Sequence, residues 1–394
     1  MAPINRRLFL KSSSLSMFPL FVPPEHAIAK ETQIFNIPPA EPFVKFFFDG
    51  ETFAPPAYIN QLQQINTAKP IEQDSYGIGG PITALEKKFE EITGKQRAIF
   101  MPTGTMANQL AIAVLSGENT KVFVQETSHV YRDEADAAQS VFNKRLIPLA
   151  QGKTFFTTEE LEQAVDYHNR GEVFKSGIGT ISIENPVRRT DGRMVPIEEI
   201  RNISAYCRKN NFKLHLDGAR IYMASAWSGI PVKEYASYFD TIYISLYKYL
   251  GASAGAVLCG DKSVIDKMEH LIKIHGGSMY GNWANAAMAL HRLEGIESRL
   301  QKTIKNSVEI FTSLNKLPDI KINQLDGGTN IYMLKLSSSV NGKKMREILA
   351  EQGILMGNPN NNNEIRITVN ETLLHKDNKV IIDSFKNALK SATG

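Results

Sequence analysis

Cysteine is scarce. Cys207 and Cys259 are the only two in 394 residues, and their spacing fits no metal site. That excludes the disulfide framework that staples small secreted folds. Cys259, inside the apolar run AVLCG, reads instead as a buried small hydrophobe. No apolar run approaches the roughly 20 residues that a membrane-spanning helix needs. Charge of one sign is also missing: 45 Lys and Arg stand against 41 Asp and Glu, a formal +4. Nothing there calls for a nucleic acid or a stable membrane surface as partner. Neither G-x-G-x-x-G nor the full G-x-x-x-x-G-K-[ST] loop follows a strand-like stretch, which removes the common nucleotide-binding loops. What remains is ordinary globular composition, 42% hydrophobic and 22% charged, in a chain long enough for two domains.

Residues 1–29 stand apart. Arg6 and Arg7 are followed by Leu8, Phe9, Leu10 and Lys11, then an apolar stretch from Met17 to Val22, then Ala27-Ile28-Ala29. This order resembles a twin-arginine (Tat) export signal, with a frayed basic terminus as the alternative. Cleavage after Ala29 removes Arg6, Arg7, Lys11 and Glu25, a net +2 of the +4. The expected location is the periplasm, with the cytoplasm as the alternative. A route that moves folded proteins suits one that takes up its cofactor first. After an N-terminal segment (30–70), helix-like and strand-like stretches alternate from 71 to 295. ITALEKKFEEITG has helical spacing and a Gly94 cap, and RAIFM, KVFVQ, TISIEN, KLHLD, TIYISL and AGAVLCG read as strands. The pattern predicts an α/β domain whose mostly parallel sheet is covered on both faces. Residues 296–394 predict a smaller α+β domain, in which NPNNNNE (358–364) is a surface turn.

Polar residues gather where strands end, which is where open α/β sheets bind ligands. Asp217 closes KLHLD, and Lys248 follows TIYISL. Thr103-Gly104-Thr105 lies between RAIFM and the next helix, and His129 lies just beyond KVFVQ. A partly desolvated lysine can lose its proton and condense with an aldehyde. A buried carboxylate stays ionised beside a cation such as a protonated pyridine nitrogen. The Thr-Gly-Thr turn offers backbone N–H groups and hydroxyls to a phosphate, and Ser245 adds another hydroxyl. A flat imidazole stacks on a ring or takes a proton. Together they specify pyridoxal 5′-phosphate (PLP). Singly each is weak: the Asp217–Arg220 step taken alone reads more readily as a loop ion pair, and His215, between Leu214 and Leu216, reads as structural.

MPTGTMANQLAI, ETSHVY, ISIENPVRRTDGRMVP, LHLDGARIYMA and SLYKYLGASAGAVLCG, with SYGIGGPITALE before them, resemble the low-specificity L-threonine aldolases. These belong to the β-eliminating lyase group of fold-type I PLP enzymes, so the resemblance implies that fold. It also implies cleavage of a β-hydroxy-α-amino acid to glycine and an aldehyde. It implies that Lys248 holds the cofactor covalently, Asp217 faces the pyridine nitrogen, and His129 stacks on the ring or acts as base. Gly104 and Thr105 would hold the phosphate, with Thr103 and Ser245 beside them, and Arg220 and Arg366 would bind the substrate α-carboxylate. A homodimer or homotetramer is expected. No metal enters this scheme.

The departures lie at the substrate end. The family's histidine after Glu-Asn is replaced in Glu184-Asn185-Pro186-Val187-Arg188, its early serine corresponds to Gly50, and an arginine that reaches a neighbouring subunit corresponds to Tyr280. Val187 suggests a bulkier or more apolar aldehyde portion. Elimination on another β-substituted amino acid, and a binding protein that has kept only the fold, remain as alternatives.

Overall fold

The computed structural model describes residues 43–393. The export-signal reading at 1–29 and the start of the 30–70 segment lie outside the described residues. Among those described, no helix is long and apolar enough to cross a membrane.

A first short strand, β1 (Val44–Lys45), precedes seven strands that make the central sheet. These are β2 (Arg97–Met101), β3 (Lys121–Gln125), β4 (Arg145–Leu149), β5 (Ile178–Glu184), β6 (Lys213–Asp217), β7 (Thr241–Ser245) and β8 (Ala256–Gly260). Their order is β2-β8-β7-β6-β5-β3-β4. Every pair from β4 to β7 is parallel, while β8 runs antiparallel to both its neighbours. The link from Ser245 to Ala256 is too short for a crossover helix, so the chain has to reverse there. Because β2 and β7 flank one reversed strand, the carboxyl ends of β2, β3, β5, β6 and β7 all open on one edge.

All seven residues of β5 are buried, as are all five of β3, β7 and β8, the apolar pattern of strands covered on both faces. Helices supply the cover. In Gly80–Thr93 the residues Ile82, Leu85 and Phe89 turn inward, and Gly94 closes the helix at φ 67°. Strand β4 gave little sequence signal because it carries Pro148, which is tolerated at the sheet's edge, where no partner needs that N–H.

A second core lies around strands β9 (Ile320–Gln324), β10 (Ile331–Leu336), β11 (Ile354–Leu355) and β12 (Glu364–Thr368). Strands β9, β10 and β12 form an antiparallel sheet with β10 in the middle, and β1 pairs in parallel with β11. Val44 and Phe46 are each 1% exposed, and Phe46 meets Phe385 edge-on at 6.2 Å. Residues 44–46 thus pack with the C-terminal core. The asparagine run is a built turn. Asn363 sits at φ 57° and donates to Ser337 and Val340 carbonyls, while Asn360 Oδ1 accepts from the Asn362 and Glu364 N–H groups.

Glu371, 7% exposed, joins the two cores by accepting from Arg292 Nη2 and from Arg299 Nε at 2.9 Å. Truncation leaves two guanidinium groups short of a buried partner. Glu371→Ala is expected to cost about 2–4 kcal/mol, read as a lowered denaturant midpoint. A midpoint unchanged from wild type contradicts this role.

Candidate active site at the carboxyl edge of the sheet

A line of hydrogen bonds across the sheet fixes the buried acid. Thr241 Oγ1 and His215 Nδ1 are 2.8 Å apart, and His215 Nε2 is 3.0 Å from Asn108 Oδ1. Burial pushes the His215 imidazole down to about 4, so the ring is neutral. Its Nε2–H donates to the amide oxygen of Asn108, which turns the Asn108 NH2 the other way. That NH2 donates to Asp217 Oδ2 at 3.0 Å and to Glu134 Oε1 at 2.9 Å. Asp217 Oδ1 accepts the Ala219 N–H at 3.1 Å. Asp217 is 1% exposed, and each of its oxygens keeps a lone pair. Glu134, missed by sequence reasoning, is pushed up to about 8 by burial and by the Asp217 charge, so it is protonated at neutral pH.

Lys248 follows β7 and is partly buried. Desolvation, then the Arg220 charge, lower its amine to about 8, against the opposing pull of Asp217, Asp49 and Glu184. Its Nζ makes no hydrogen bond or ion pair among the described residues. Arg220 is held by Asp49 Oδ2 at 2.7 Å from its Nε, a pair that joins residues 171 apart in sequence. Ser245 Oγ is fully buried and unpartnered, as is Ser128 Oγ next to His129. Thr103 caps the helix Gly104–Ser116, its hydroxyl accepting from Met106 N at 3.1 Å. The N–H groups of Gly104 and Thr105 sit in that helix's first turn, where no intrahelical acceptor exists.

His129 starts a short helix after β3. Its backbone N–H donates to Glu184 Oε2 at 2.7 Å, and its Nδ1 is 3.2 Å from Asp133 Oδ2. Burial lowers its pKa, with Lys248 acting the same way and Asp217 and Asp133 opposing. Glu184 also accepts the Arg188 N–H at 2.9 Å, which ties the loop after β5 to the His129 turn. Asp133 is gripped by Arg188 Nη1 at 3.2 Å and by Arg189 Nε at 3.1 Å.

The structure therefore gathers Lys248, Asp217, His129, Arg220 and Ser245 with Gly104 and Thr105 at one sheet edge. Arg366 takes a different partner: its Nε meets Asp191 Oδ1 at 2.9 Å, with the side chain 48% exposed. Val187 is fully buried, so the apolar aldehyde pocket expected there is not what this loop presents; Arg188 and Arg189 emerge from it instead. Gly50 has a physical reason: a Cβ there would stand 2.5 Å from Tyr249 Cα. Tyr280 packs edge-on against Tyr76 at 5.5 Å. Glu134, Asp49 and Asp133 carried no signal in the sequence beyond their nearness to residues already singled out.

A family model described as beta-eliminating lyase matches residues 59–337. A low-specificity L-threonine aldolase of Candida albicans is 36% identical over 259 residues, which cover 61% of this chain and 68% of the relative. A low-specificity L-threonine aldolase of Arabidopsis thaliana is 26% identical, covering 81% and 90%. A threonine aldolase structure from Leishmania major superposes with a TM-score of 0.67 at 17% identity, covering 89% of this chain and all of that one. The architecture is that of the fold-type I enzymes.

The raised Glu134 pKa sets a test. Stability linked to this carboxyl is full below the ordinary glutamate pKa and is lost as pH rises through about 8. Glu134→Gln keeps the shape without the charge. Between pH 5 and 9 its melting temperature is expected to gain on wild type by about 3–8 °C. Parallel curves contradict the assignment.

Proposed function

The chain belongs to the beta-eliminating lyase family, and on that premise we propose that it is a PLP-dependent aldolase. Its reaction is cleavage of a β-hydroxy-α-amino acid of the threonine type to glycine and an aldehyde. One observation carries the reading: a lysine lowered to about 8 shares a sheet edge with a buried, oriented carboxylate and a histidine of lowered pKa. The relatives named as low-specificity L-threonine aldolases support the reaction.

The residues present fit the cofactor. Ser245 Oγ is an orphaned hydroxyl, and Gly104 and Thr105 offer N–H groups at a helix start, together a cradle for a phosphate. Lys248 is the attachment point. Asp217, acceptor-only when ionised and steadied by Asn108 and Ala219, suits a protonated ring nitrogen. When bound, PLP supplies the sink for the electron pair released as Cα–Cβ breaks. The chain supplies proton handling. With Nδ1–H turned to Asp133, neutral His129 presents its Nε2 lone pair, which takes the β-hydroxyl proton. Lys248, near neutrality, is poised to return a proton to Cα. Arg220, its Nε braced by Asp49, orients the substrate α-carboxylate through its Nη groups, and Arg366, its Nε on Asp191, is the second arginine proposed for that carboxylate.

We propose a homodimer or homotetramer as well. The helix Pro55–Ala68 has no buried residue, and Ile59, Leu62, Ile71 and Trp283 line a surface hollow of about 530 Å³. Ile78 and Tyr280 are 68% and 63% exposed nearby in sequence. Light scattering at micromolar concentration is expected to give a multiple of the chain mass; a monomer overturns it. Export rests on Arg6, Arg7 and Ala27-Ile28-Ala29. It predicts a periplasmic product beginning after Ala29, and an unprocessed cytoplasmic chain contradicts it.

Incubated with threonine, allo-threonine and phenylserine, the PLP-loaded enzyme is expected to release glycine and aldehyde in equal amounts. Lys248→Ala is expected to lose at least 1,000-fold in kcat. Pyruvate with ammonia from β-substituted alanines, and no glycine, would establish elimination instead.

A further inference from the structure

Two arginines stand at the mouth of the site with no part in the scheme above. Arg188 and Arg189 follow the buried Val187, and their side chains are 41% and 40% exposed. Their position is imposed. The Arg188 N–H is fixed at 2.9 Å by Glu184, the same carboxylate that holds the His129 N–H at 2.7 Å. Asp133 Oδ2 then receives Arg188 Nη1 at 3.2 Å, Arg189 Nε at 3.1 Å and His129 Nδ1 at 3.2 Å. Laid end to end, two of these contacts put Arg188 Nη1 no more than 6.4 Å from His129 Nδ1. This sets the two guanidinium groups beside the imidazole that takes the β-hydroxyl proton.

Arg188 and Arg189 share Asp133, with the buried Glu184 carboxyl behind them. Arg189 spends Nε and Nη2 on Asp133 and Arg188 spends Nη1, so most of their N–H donors stay uncommitted. Planar forks of this kind match carboxylate or phosphate oxygens.

Resting on the aldolase reading, we propose that the preferred substrate carries an anionic group in its β-substituent, bound by Arg188 and Arg189. For 3-hydroxyaspartate the reaction balances without any oxidant. The β-hydroxyl proton passes to His129, Cα–Cβ breaks, Cβ becomes the aldehyde carbon of glyoxylate, and Cα takes a proton to give glycine. A phosphate ester one carbon further out meets the same donors.

The test compares the loaded enzyme on threonine, 3-hydroxyaspartate and 4-hydroxythreonine 4-phosphate. At least one anionic substrate is expected to exceed threonine tenfold in kcat/KM, and the better of the two identifies the anion. In Arg188→Ala/Arg189→Ala, whose fold is checked by its melting temperature, the anionic-to-threonine ratio is expected to fall at least tenfold. The double Lys variant is expected to recover part of it. Aspartate, which lacks the hydroxyl and cannot be cleaved, is expected to bind wild type at least tenfold more tightly than 2-aminobutyrate by calorimetry, a margin lost in the double Ala variant. Threonine cleaved as well as both anionic substrates, or all substrates weakened alike by the double Ala change, overturns the inference and leaves the aldolase reading standing. No glycine from any of the three overturns that reading and this inference with it.

Discussion

Glu184 holds the site together. It ends β5 beside Asp217 of β6 in the parallel register and is 4% exposed. Its two oxygens accept the backbone N–H of His129 and that of Arg188. Burial, with the Asp217 charge second, raises its pKa, so these two bonds offset a real desolvation cost. Without the carboxylate two backbone donors lose their acceptor, at about 1–3 kcal/mol for each that stays buried. The larger consequence is geometric. Asp133 adds the second brace between the loop after β3 and the loop after β5, through Arg188 and Arg189, so two carboxyl side chains place the imidazole and the two arginines.

A similar economy governs the acids beneath. Asn108 bridges Asp217 and Glu134, and the neutral ring of His215 decides which way the amide faces. Two carboxyl groups this close resist joint ionisation, and Glu134 is the one driven to hold its proton. The negative charge is thereby concentrated on Asp217. Lys248 feels that charge against Arg220 and its own burial, and settles within reach of neutrality. The site is a balance of long-range charges set in a rigid sheet edge.

Much of this was legible in the sequence. The strand and helix periods from RAIFM to AGAVLCG located the sheet, and the residues at their ends located Asp217, Lys248, His129 and the Gly104–Thr105 turn, because a strand's carboxyl end is fixed by local pattern. Partners distant along the chain were not legible. Asp49 reaches Arg220 across 171 residues, and Asn108 reaches Asp217 across 109. No period encodes such pairs. Strand β4 escaped because Pro148 masks it, and the reversal of β8 is a property of the loop before it. Val187 misled for a related reason: its apolar character belongs to the core, while the next two residues face the opening.

The central claim is that Lys248 carries the cofactor. Borohydride reduction of the PLP-treated protein, followed by peptide mapping, tests it most directly. The account predicts a single stable adduct on the peptide containing SLYKYLG, at Lys248, with loss of visible absorbance. An adduct on another lysine, or none on any, contradicts it.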